Sequence, residues 1–156
     1  MEADAILADS VVSAEGKLYV QGGGWNLLNV VSFPHQQDRI GVALVVRVPY
    51  TATNQEHRFK LWIQDEDGNA HVLGDAPPGV ETEDGKIRAL EGAFNVGRPP
   101  LLPPGDEQVV PLAVNLNNVV FTAPGQYSFV LELDQTEVTR LTFRVQQPPG
   151  FGPPTG

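Results

Sequence analysis

Residues 17–31 read KLYVQGGGWNLLNVV, and the fold turns on what Gly22, Gly23 and Gly24 do. A phosphate-cradling loop needs G-x-G-x-x-G between a strand and a helix, or G-K-[ST]. Gly22 and Gly24 supply the first half, but Leu27 stands where the third glycine belongs, and no G-K-[ST] follows. The next residues, WNLLNVVSFP, are β-prone and end at Pro34. The glycines therefore read as a bulge or a sharp strand-to-strand corner, which glycine permits because φ > 0 is cheap without a Cβ.

Outward from that corner the chain keeps a two-residue period. In EHRFKLWIQ (56–64), His57, Phe59, Leu61 and Ile63 share one face and Lys60, Trp62 and Gln64 the other. YSFVLEL (127–133) and TRLTFRV (139–145) alternate in the same way, and RIGVALVVRV (39–48) is apolar on both faces, as a central strand is. Further strands are expected at Ala5–Ala8, Lys17–Gln21, Trp25–Val31, Arg88–Val96 and Val109–Phe121. Turns are expected at 13–16, 65–69 and 123–126, and long loops at 75–86 and 97–107. The last two strands suggest a hairpin with Asp134 opposite Val138 across the loop 135–137. That register sets Leu131 against Leu141, Phe129 against Phe143 and Glu132 against Arg140. The expected fold is all-β: a single antiparallel β-sandwich, Ig-like or jelly-roll-like, over residues 1–145. The Pro/Gly-rich stretch 146–156, QQPPGFGPPTG, reads as a tail unable to form a core.

Composition narrows function. The 156 residues carry a formal charge of −9 from 19 acids against 10 Lys and Arg, which argues against nucleic acid and against anionic membrane. There is no cysteine, so disulfides, thiolate metal sites and Cys nucleophiles are out. No apolar run reaches the ~18 residues of a membrane span, and the opening MEADAILADS lacks an apolar signal core. The expectation is a cytoplasmic protein, or part of an assembly exported without an N-terminal signal.

Catalytic patterns fail one by one. His35, His57 and His71 have no metal-ligand spacing, and Ser10 and Ser128 sit in no nucleophile elbow. Asp65, Asp67 and Asn69 resemble the start of a calcium loop, but Ala70 and Ala76 occupy its Gly and Glu positions, and Asp67-Gly68 is a hairpin-turn signal. No catalytic, cofactor or metal residue is therefore expected. Trp62, outward beside Lys60, is the leading interface or ligand candidate. Trp25, Tyr19 and Phe151 are lesser ones.

Several stretches carry a resemblance: ADAILADSVVSAEGKLYVQGGGWNLL, GVALVVRVP, EHRFKLWIQDEDG and PGQYSFVLELD, in that order from Ala3 to about Val145. In them the chain resembles an uncharacterised bacterial family of small all-β proteins, common in actinobacteria and known only as a domain of unknown function. The resemblance implies a β-sandwich and no assigned activity. The resulting expectation is a non-enzymatic structural or interaction module, self-associating or bound to a protein partner. The alternative is a carbohydrate-recognition module, calcium-assisted through Asp65, Asp67 and Asn69.

Overall fold

A computed structural model describes residues 1–149. The chain runs through twelve strands: β1 (Glu2–Ala8), β2 (Ser10–Ala14), β3 (Lys17–Gln21), β4 (Leu27–Asn29), β5 (His35–Val48), β6 (Glu56–Asp65), β7 (Gly74–Asp75), β8 (Lys86–Ile87), β9 (Leu90–Asn95), β10 (Gln108–Phe121), β11 (Gly125–Leu133) and β12 (Thr136–Gln146). A single 3-10 turn, Tyr50–Ala52, is the only helical element among the described residues. The expected tail overlaps β12 at Gln146, and its residues 150–156, Phe151 included, lie outside the described residues.

The protein is all-β with several sheets. One has the order β1-β5-β10 and another β4-β12-β11-β6-β9. Two hairpins, β2-β3 and β7-β8, pair only within themselves as two-stranded sheets. The inward residues of the two larger sheets join one buried cluster. Ile40, Val42, Leu44 and Val46 come from β5, and Leu61, Ile63, Phe129, Leu131 and Phe143 from β6, β11 and β12. These are the faces that the two-residue period marks. At the cluster's centre the Tyr127 ring lies 5.0 Å from Phe121, and the Phe143 ring 5.5 Å from Phe129. The Tyr127 hydroxyl donates to the Ala123 carbonyl at 2.7 Å, tying the β10–β11 corner.

The glycine corner bends the chain. Gly22 and Gly24 take φ +62° and +91°, and a Cβ on Gly22 would overlap the Asp9 carboxylate. The Gly24 N–H donates to the Leu7 carbonyl at 2.8 Å. Strand, not helix, follows at β4.

Three expectations need correction. First, the sheets are not wholly antiparallel, since β4 pairs with β12 in parallel. Second, the β11–β12 register lies two residues from the expected one. Tyr127 faces Phe143, Phe129 faces Leu141 and Leu131 faces Thr139, with an irregularity before Glu132 opposite Glu137. A two-residue shift keeps every side chain on its face, so alternation alone could not exclude it. Third, the loop is Asp134-Gln135, at φ +50° and +67°, which is a two-residue primed turn without glycine. Arg140 consequently pairs with Glu137 at 2.7 Å rather than with Glu132. Strands β2, β7 and β8 were not anticipated, and β4 is shorter than the expected Trp25–Val31.

Candidate functional site

The outer face of the five-stranded sheet gathers the leading candidates. β6 alternates, so Leu61 and Ile63 enter the core while Arg58, Lys60, Trp62 and Gln64 point outward. Trp62 is half-buried opposite Val130, a fully buried neighbour on β11. Its indole N–H donates to Gln64 Oε1 at 3.3 Å, and the Lys60 ammonium sits 5.3 Å from its ring centroid. Beside them Ser128 and Thr142 share a hydroxyl hydrogen bond of 2.9 Å.

Lys60 lies between two carboxylates by register: Glu132 opposes it on β11 and Glu91 on β9. A cavity of about 290 Å³ opens there. Its lining includes Arg58, Phe59 and Lys60 of β6, Glu91 of β9, Glu132 of β11 and Gln135 of the turn. Lys60 thus belongs both to the aromatic surface and to the polar hollow. The sequence flags Trp62 and Lys60 as site candidates, but not Arg58, Glu91, Glu132 and Gln135. Only knowledge of which strands flank β6 brings them together.

The other candidates lie elsewhere. Trp25 packs edge-on against Phe143 at 6.1 Å, against the core, and its buried indole N–H has no hydrogen-bond partner among the described residues. Tyr19 is exposed on the β2–β3 hairpin, in a different sheet. Near it an apolar hollow of about 270 Å³ is lined by Ile6, Leu18, Val20, Ala43 and Val45.

The histidine rings are each held by a hydrogen-bonding partner, two of them by acids at turns. His57 is buried, with Nδ1 2.7 Å from the Asp134 carboxylate and Nε2 2.7 Å from the Ala52 carbonyl. Two acceptors on one imidazole require both nitrogens to donate, which is the imidazolium form. Burial pulls its pKa down, and the bonds to Ala52 and Asp134 outweigh burial, so it lies above the ordinary histidine value. The Arg58 backbone N–H and then His57 hold Asp134 below the usual carboxylate range. In the turn after β6, Asp65 Oδ1 accepts from the Asp67 and Asn69 N–H groups, and Oδ2 lies 2.8 Å from His71 Nε2. The His71 contact foremost, then the Asn69 N–H, keep Asp65 acidic. Both oxygens a calcium ion would take are thus already engaged. Among the described residues no three His, Asp or Glu side chains gather into a metal-binding group. His35 pairs with Gln37 at 2.9 Å.

Among the described residues no helix is long and apolar enough to cross a membrane. The chain belongs to the family described as Family of unknown function (DUF6941), which it matches over residues 3–146. No curated protein matches it. One solved structure that does is Pseudomonas fluorescens alkylpurine DNA glycosylase AlkC bound to DNA containing an abasic site analog. The match has 12% identity, a TM-score of 0.38, and covers 78% of this chain but only 28% of that one. A likeness that slight supports no statement about fold or activity. The partner expectations nevertheless do not stand. The expectation was a protein partner or a second copy, with nucleic acid set aside on charge, whereas one similar solved structure is a DNA complex. The exclusion of nucleic acid is withdrawn, and no partner of any class is shown.

Proposed function

We propose that this family member is a non-enzymatic binding module, a single β-sandwich that holds a carbohydrate on the outer face of its five-stranded sheet. The observation that carries the reading is the placement of Trp62 on that face beside a polar hollow. The C–H face of a sugar ring is apolar and stacks on the π-face of an indole, while the ring hydroxyls need neighbouring donors and acceptors. Gln64, Ser128, Thr142 and Lys60 stand around Trp62 to supply them. Moving the Lys60 ammonium off the ring costs about 0.5–1 kcal/mol, within reach of one stacked sugar.

The non-enzymatic part rests on how the ionisable groups are used. All three histidine rings are engaged in hydrogen bonds, with Gln37, with Asp134 and Ala52, and with Asp65. The reading makes no use of calcium, because Asp65 is engaged by its own turn. The folded unit is taken to close with β12 near Val145, the remainder being a tail.

A glycan array run with and without calcium tests the proposal. The wild type should bind neutral oligosaccharides equally in both conditions, and Trp62→Ala should weaken that binding at least about tenfold, as loss of an aromatic anchor does. An empty array would overturn the reading. Light scattering on the same samples separates the self-association expected from the sequence: a mass change with Trp62→Ala and an empty array would favour that use of the face.

A further inference from the structure

We infer that the hollow beside Trp62 is a subsite for one electrically neutral sugar ring, the terminal residue of the bound glycan; this rests on the binding reading above. The hollow holds about 290 Å³, at the lower bound of small-ligand pockets, room for a single ring rather than a chain. Its charges balance. Arg58 and Lys60 are cationic, Glu91 and Glu132 anionic, and Gln135 is neutral with both a donor and an acceptor. The register spaces them: Lys60 lies directly between Glu91 and Glu132, one strand to either side.

That alternation suits hydroxyl groups, each of which donates and accepts at once. Carboxylates accept from a hydroxyl, the cations donate to it, and the lining itself carries no net charge that favours a charged ligand. A uronic acid would meet two carboxylates, and an amino sugar two cations. Lys60 links the two parts of the site. Its ammonium rests over Trp62, and when a sugar stacks on the indole the same flexible stem can swing it toward the hollow.

The test compares the wild type with the double variant Glu91→Gln/Glu132→Gln on an array of neutral, uronic-acid-terminated and amino-sugar-terminated glycans. Amides keep the shape and one acceptor oxygen each, exchange the other for a donor, and leave a site of net positive charge. The wild type should prefer neutral ends, and the double variant should shift toward uronic-acid ends by about tenfold, the effect of one gained charge-assisted hydrogen bond. Unchanged preference in a variant that still binds overturns the subsite while leaving the Trp62 platform intact. Wild-type preference for charged ends overturns it too. Absence of any wild-type binding overturns both readings. The melting temperature of the double variant, matched to the wild type, shows that a changed preference is not a folding defect.

Discussion

His57 joins three parts of the chain through one ring: β6 itself, the β11–β12 turn at Asp134 and the 3-10 turn at Ala52. Because its folded pKa is raised, the stability it contributes is complete below the ordinary histidine value of about 6.5 and is lost as pH rises through the folded value. Asp134 has the opposite sign: its folded pKa is lowered, so its contribution is present above about 3.9 and lost as pH falls through the folded value. Melting temperature should therefore decline on the alkaline side of pH 6.5. In Asp134→Asn that decline should shrink, with a cost of about 1–2 kcal/mol at pH 6 from the weakened charged hydrogen bonds. Parallel profiles for the two proteins would refute this role. Alternation alone places His57 on the core face, but its partner is 77 residues away, and nothing local in either stretch announces the pair. Trp25 behaves differently. Its indole N–H is buried without a partner among the described residues, so Trp25→Phe removes an unsatisfied donor and should leave the denaturation midpoint nearly unchanged.

The β11–β12 hairpin shows what an element's pattern can and cannot convey. The faces of Tyr127, Phe129 and Leu131 are legible because alternation reports burial. The register is not, because shifts of two residues leave burial unchanged, and the turn lacks the glycine that would mark it. Asp134 and Gln135 adopt positive φ in spite of their side chains. Asp134 gains the Arg58 N–H at 2.9 Å and the His57 ring in return. The Gln135 side chain, by contrast, has no hydrogen-bond partner of that kind among the described residues. Gln135→Gly should accordingly raise stability by about 1 kcal/mol in urea denaturation, the cost of holding a side chain in the left-handed region. A loss of stability would show that Gln135 packs in a way its backbone does not reveal. The β2–β3 hairpin depends on a distant residue as well. Asn115 of β10 accepts from the Val11 N–H at 3.0 Å and donates to the Val11 carbonyl at 2.7 Å, holding β2 against the three-stranded sheet. Asn115→Ala should cost about 1–3 kcal/mol, with amide exchange rising first at Val11. No short-range signal in VNLN predicts that role.

For the whole molecule, the apolar faces of the two larger sheets meet in one cluster, and that part was legible from period and punctuation. The parallel β4–β12 pairing and the order β12-β11-β6-β9 were not, since both depend on contacts far apart in the chain. The candidate site was half legible for the same reason. Trp62 and Lys60 are neighbours on one strand, while Glu91 and Glu132 reach Lys60 only through strand order. The central claim is that Trp62 is a sugar platform, and Trp25→Phe makes Trp62 the sole tryptophan. The most direct measurement is a fluorescence titration of that variant with neutral oligosaccharides. The account predicts a saturable change in Trp62 emission with at least one of them, abolished when Trp62 is also replaced by alanine and the remaining tyrosine signal is followed. A Trp62 emission that no oligosaccharide moves, in a protein whose melting temperature matches the wild type, would contradict it.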